Sequence, residues 1–276
     1  MLDALQYVKQ YHNLWTPEFL LSGAQLKSAG ALWTPVYQYL NAKYKNKAGK
    51  TPSERLEYKD HLLGFFKARA GEAGSGVTYS EGGGYNLASF YPVHEFPKSS
   101  FMASFSGKGS PQMLSDIIQL ISYWRSYKKL KQGVNVSPVA EIADKYLGVD
   151  CNGFVGHYLR TKFAGVSVKP STTEKSFSQS GPRRGYAIEI QADDVLVFDG
   201  FHHVAVVNSV AKKTPEWAEC MVCESRSKDN GGPQANVWRI EVKKSTAGLM
   251  SGYFMLKHLN GSVREDLHSI VRVWGT

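Results

Sequence analysis

The sequence predicts an α+β fold on two observations. Hydroxyl-capped, proline-started helical segments fill the first part of the chain, and six short β-rich segments separated by turn residues follow them. The 276 residues, 42% of them hydrophobic, suffice for a sizeable core, and no apolar run approaches the ~18 residues of a membrane span.

Three Thr-Pro pairs punctuate the start: Thr16-Pro17, Thr34-Pro35 and Thr51-Pro52 each set a capping hydroxyl before a proline suited to the first helical position. Thr51 and Glu54 complete a capping box, and Leu56, Leu62, Leu63 and Phe66 give the helix that follows an apolar side. Residues 71–110 shift to Gly, Ser and aromatics, including Gly82-Gly83-Gly84-Tyr85, and read as ordered loops or short hairpins. Ser110-Pro111 starts a helix with Leu114, Ile117, Ile118, Ile121 and Trp124 on one face. A second cap at Ser137-Pro138 starts a shorter one carrying Val139, Ile142, Ala143 and Tyr146, and Gly148 is placed to end it. A helix from Cys151 to about Thr161 precedes a polar stretch, and strands are expected over 195–198, 203–210, 219–226, 236–242, 253–257 and 269–273. The organisation expected is a helical cap with a Gly- and aromatic-rich loop region over 1–110, then a catalytic domain over 111–276.

The 33 Lys and Arg against 24 Asp and Glu give a net charge of +9, which favours anionic partners. The basic residues are scattered in pairs such as Lys128-Lys129 and Arg183-Arg184, so specific nucleic-acid binding is not expected. Three cysteines are too few for a disulfide scaffold. Cys220 and Cys223 with His202 and His203 lack the second ligand pair of a zinc site, and Gly82-Gly83-Gly84 lacks the lysine of a phosphate loop, so no metal or cofactor is expected. The N-terminus has neither the basic start nor the apolar core of a secretory signal, so an extracytoplasmic substrate implies another export route or a larger parent chain.

Chemistry concentrates in two segments, Asp150-Cys151-Asn152-Gly153-Phe154-Val155 and, after a long gap, Phe201-His202-His203-Val204-Ala205-Val206. A thiol is mostly protonated near neutrality, and a helix N-terminus or a nearby base is what turns it into a nucleophile. Cys151 is placed for the first and one of the two histidines for the second. A third group usually orients the imidazole, and Glu224 on the next strand leads, with Ser225, Asn208 and Asp229 as substitutes.

The hexapeptide at Cys151 resembles the Asp-Cys-Ser-Gly-Phe/Leu-Val nucleophile motif of the NlpC-like cell-wall peptidases, with Asn152 in the place of Ser. Asp194-Val195-Leu196-Val197-Phe198 and His203-Val204-Ala205-Val206 resemble that family's Gly-Asp-Leu-Val-Phe and His-Val-Gly-Ile segments. The resemblance spans about 139–226. It implies a papain-like domain whose nucleophile helix packs on a short antiparallel sheet, with Cys151 as nucleophile and His203 rather than His202 as base. A related amidase class with a Cys-His-Glu/Asn arrangement accommodates Glu224. The substrate implied is an amide bond in peptidoglycan stem peptides.

Basic charge and a missing signal then suggest an antibacterial effector or lysin acting in the periplasm or wall of a target cell, with an immunity protein or a secretion-machine component as protein partners. Two rival readings belong to other classes: the same Cys-His site acting on a protein or lipid ester, and a binding module with a degenerate site.

Overall fold

The computed structural model describes residues 2–22, 25–70, 72, 77–79, 85–87, 95–227, 231–259 and 264–273. The chain is α+β and gathers into two compact units. One comprises residues 1–9, 150–226 and 233–276, the other residues 10–149 and 227–232. The expected boundary at residue 110 falls inside the second unit.

The second unit combines a hairpin with helices. Strands β1 (Leu14–Ser22) and β2 (Gln25–Thr34) pair antiparallel, and α2 (Pro52–Ala70), a small sheet of β3 (Val77–Tyr79), β4 (Tyr85–Leu87) and β5 (Glu95–Phe96), α3 (Lys98–Phe105), α4 (Pro111–Gln132) and α5 (Val139–Tyr146) follow. The expected helices at Thr16-Pro17 and Thr34-Pro35 are therefore wrong. Thr16 lies inside β1 and Thr34 ends β2, and their hydroxyls bond each other at 2.6 Å instead of capping helices. A Thr-Pro pair serves a two-stranded ribbon equally well, because proline is tolerated where a strand has an open edge.

Thr51 does form the predicted box, accepting from the Glu54 N–H at 3.3 Å while Glu54 accepts from the Thr51 N–H at 2.7 Å. The face that α2 buries is Arg55, Lys59, Leu62 and Phe66, one step round from the expected stripe. Arg55 is buried because the carbonyls of Asn41, Tyr44 and Lys50 take its guanidinium. Ser110 caps α4, which ends at left-handed Gly133. Gly148 does not cap α5, whose last carbonyls are closed off at Leu147. A Cβ at Gly148 would lie 2.6 Å from the Gln38 carbonyl, so close backbone approach is the reason for that glycine. The Gly82-Gly83-Gly84 run lies outside the described residues.

The first unit holds the six expected strands, five of them longer than predicted: β6 (Val195–Phe198), β7 (Val204–Lys213), β8 (Trp217–Arg226), β9 (Gly232–Ser245), β10 (Gly248–His258) and β11 (Arg264–Val271). The expected short antiparallel sheet is a closed barrel in the order β10-β11-β6-β7-β8-β9, which leaves it no open edge strand. Its interior is a single cluster that includes Leu196, Phe198, Ala205, Val207, Cys220, Val222, Trp238, Ile240, Phe254 and Leu256. Val195, Val197, Val204, Val206 and Cys223 are equally buried but sit at the alternate positions. Two-sided burial of this kind needs a cover. It comes from α6 (Cys151–Lys162), which packs on β7 and β8, and from Tyr7 of α1 (Ala4–Tyr11), whose ring lies 5.7 Å from those of Phe154 and Tyr158.

Asp194 ties the segment before β6 to the end of β11. It is fully buried, accepts two hydrogen bonds at 2.8 Å from Arg184 and one at 3.2 Å from Arg272, and takes the Gln191 N–H. Gly181 lets the strap at 181–184 lie against β11, since a Cβ there would fall 1.8 Å from the Arg272 carbonyl. Asp194→Asn leaves two partly buried guanidinium groups short of their counter-charge and is expected to lower the unfolding free energy by about 2–4 kcal/mol in urea titrations. A loss under about 1 kcal/mol would show that water replaces the carboxylate.

Candidate active site

Asp150 explains why α6 begins where it does. Its backbone is extended and its carboxylate accepts the Gly153 N–H at 2.7 Å, while its carbonyl accepts the Phe154 N–H at 2.9 Å. Cys151 is thus the first residue of α6, at the positive end of the helix, and only 2% exposed. Phe154, Val155, Tyr158 and Leu159 are the buried side chains that hold the helix down. At its far end Lys162 donates to both Asp193 oxygens at 2.7 and 2.8 Å, and the Tyr158 hydroxyl donates to the same carboxylate. Asp193 itself adopts a left-handed backbone (φ 70°), a strained turn that this pairing holds in place.

His203 owes its position to the β6–β7 connection. Gly200 (φ 70°) and Phe201 (φ 51°) are consecutive left-handed residues that reverse the chain, so that the His203 carbonyl accepts the Phe198 N–H at 3.0 Å. The His203 ring packs edge-on against Phe198 at 4.8 Å and is 4% exposed, whereas His202 is exposed. His203 precedes inward-facing Ala205, and Glu224 continues the inward set Cys220 and Val222, so the two reach the same end of the barrel. There His203 Nε2 and a Glu224 oxygen meet at 2.7 Å. With Nε2 engaged, Nδ1 is the ring nitrogen left to exchange a proton with a nucleophile.

Glu224 is fully buried. Burial disfavours its charged form, but the His203 hydrogen bond, the imidazole's charge and the nearby Arg226 guanidinium outweigh it, so the carboxyl titrates below the ordinary value of 4.5. Arg226 Nε lies 3.8 Å from Glu224, its other end is paired with Glu265, and its guanidinium rests over Phe198 at 5.4 Å. Of the alternatives to Glu224, Asn208 accepts the Leu5 N–H at 2.8 Å and so anchors α1, Ser225 is buried on β8, and Asp229 lies outside the described residues.

The structure therefore unites His203 with Glu224 and sets Cys151 on the helix that packs against the strands carrying them. Two residues not anticipated from sequence join them. Arg226 backs Glu224, and Glu174 borders the thiol: Cys151 Sγ lies 3.6 Å from Asn152 Oδ1 and 3.9 Å from Glu174 Oε1, and the Asn152 amide donates to that same Glu174 oxygen at 3.2 Å. Glu174 opens α7 (Glu174–Phe177), a single turn inside the stretch that reads as featureless and polar. Its one sequence signal is the Thr173 cap.

Cys220 and Cys223 are not comparable nucleophiles. Burial pushes the Cys220 thiol up to about 12 and raises Cys223 as well. Their spacing turns them to opposite faces of β8, and among the described residues no group of three or more His, Cys, Asp and Glu could hold a metal ion.

The Glu224 shift fixes a sign. A carboxyl whose folded value lies below its unfolded one adds stability that is fully present above about pH 4.5 and is lost as pH falls through the lower folded value. Urea unfolding of the wild type and Glu224→Gln should accordingly differ most near neutrality and converge in acid. A constant gap would mean the lost interaction is not ionic.

No protein-family model, curated protein or solved structure matches the chain, so the chemistry of this site is argued from its own residues.

Proposed function

We propose that the barrel unit is a papain-like thiol hydrolase that cleaves amide bonds in peptidoglycan stem peptides. The observation that carries this reading is the buried 2.7 Å His203–Glu224 pair at one end of the barrel, next to strands β7 and β8 on which packs a helix that begins at the cysteine of an Asp-Cys-Asn-Gly-Phe-Val segment. The thiol proton of Cys151 passes to His203 Nδ1 and the sulfur attacks the amide carbonyl carbon. The oxyanion is received at the start of α6, where the Cys151 backbone N–H is the assigned donor. Collapse of the tetrahedral adduct breaks the C–N bond, and His203 returns its proton to the departing amine. Water, deprotonated by His203, then hydrolyses the thioester and restores the thiol. Glu224 keeps Nε2 protonated and the ring in place throughout, and no cofactor enters the cycle.

The substrate class rests on the motif resemblance, and the net charge of +9 is suited to a polyanionic wall. Action in the periplasm or wall of a target cell, with an immunity protein guarding the producer, is the corresponding biological role.

Purified sacculi incubated with the wild type should yield new muropeptides by mass spectrometry, and the masses name the bond. Cys151→Ala and His203→Ala should release none, and Glu224→Gln should slow release by about 10²- to 10⁴-fold. Identical profiles for the wild type and Cys151→Ala would remove peptidoglycan as the substrate and turn attention to protein or lipid esters.

A further inference from the structure

The carboxylate beside the thiol runs against simple activation of a cysteine. A negative charge 3.9 Å from sulfur opposes formation of a thiolate, so a site built only to ionise Cys151 has no use for Glu174. Its placement is nonetheless built in. Gly156 lets the chain at 169–170 cross directly over α6, since a Cβ there would lie 2.6 Å from the Lys169 carbonyl. The Lys169 N–H donates to the Thr172 hydroxyl at 2.7 Å, and Thr173 caps the turn that presents Glu174. Asn152, buried in the first turn of α6, then bridges thiol and carboxylate with its two amide ends, a connection that serine at that position is too short to make.

Glu174 is half-buried, and among the described residues no lysine, arginine or histidine pairs with it. The amide of Asn152 supplies a hydrogen bond but no counter-charge. A carboxylate left charged next to a reacting atom attracts a cation brought by the ligand, and a bound cation also cancels the penalty on the thiolate.

We infer that Glu174, held by Asn152, is a specificity residue that receives a protonated primary amine of the substrate next to the scissile carbonyl. The inference rests on Cys151 being the nucleophile of the hydrolase proposed above. It narrows the substrate to peptides carrying a free ammonium group close to the bond that is cut.

Charge-selective labelling of Cys151 tests the inference without reference to any wall substrate. The protein is treated with three small methanethiosulfonates, a cationic aminoethyl, a neutral methyl and an anionic sulfonatoethyl reagent, and the Cys151 peptide is followed by mass spectrometry apart from those of Cys220 and Cys223. Each ratio is taken on one thiol, so changes in thiolate fraction cancel. The wild type should prefer the cationic over the anionic reagent by about 5- to 10-fold more than Glu174→Gln does. Gln keeps an acceptor for the Asn152 amide. Glu174→Lys should reverse the preference, which guards against a purely local packing effect. Equal ratios in the wild type and Glu174→Gln, or no labelling of Cys151 by any of the three, would overturn the inference. Sacculus cleavage with no charge preference sinks Glu174 alone, and a charge preference without sacculus cleavage sinks only the peptidoglycan reading.

Discussion

Strand β6, the first four residues of β7 and residues 222–225 of β8 are buried on both faces, and the rest of the barrel unit follows from that constraint. One set of alternate side chains fills the barrel and the other lies under α6 and α7, so a polar group on either face costs free energy unless it is paired. Burying a Val or Leu fully against water stabilises the fold by about 1.5–3 kcal/mol, and a run such as Val204-Ala205-Val206-Val207 draws on both faces at once. The same burial fixes α6, and with it the position of its first residue.

Polar residues admitted into such an environment are there at a cost and are accordingly matched. His203 engages one Glu224 oxygen, Arg226 offsets the Glu224 charge from behind, and Phe198 packs beneath both the imidazole and the guanidinium. Asp194 does the same for two arginines at the junction of β6 with β11. The two clusters differ in what they leave over. Asp194 is enclosed by donors on every side, whereas the His203 pair leaves one ring nitrogen without an assigned task. A buried imidazole held by one nitrogen and available by the other is the arrangement that proton transfer requires.

Legibility in the sequence divided along the same physical line. Strands filled by β-branched residues, and the helices opened by Ser110-Pro111 and by the Thr51–Glu54 box, were readable because local chemistry and burial agreed, whereas Ser137 makes no cap and α5 starts from Pro138. The start of a helix at Cys151 and the meeting of His203 with Glu224 were readable because the period of the element each belongs to or adjoins fixes its direction. Thr16 and Thr34 misled because a Thr-Pro pair has two uses, and only tertiary pairing, hydroxyl to hydroxyl across the hairpin, decides between them. Arg55 was invisible as a core residue, since the three carbonyls that take its guanidinium come from a loop without periodicity. Closure of six short strands into a barrel depends on which strands neighbour one another, and that is not written in any one segment.

Glu174 marks the limit of such reading most clearly. Nothing within the segment 167–185 distinguishes it from other solvated glutamates, and its approach to the thiol depends on a glycine eighteen positions earlier that allows one stretch of backbone to cross another. The side chain that answers it, Asn152, stands next to the cysteine and departs from the serine of the motif this segment resembles. A small hydroxyl at that position would leave the carboxylate unbridged, and an amide without a carboxylate opposite would leave a buried donor unmatched. Asn152 and Glu174 are therefore two halves of one device, and the residue that looked like a departure from a nucleophile motif is the part of that device visible in the motif itself.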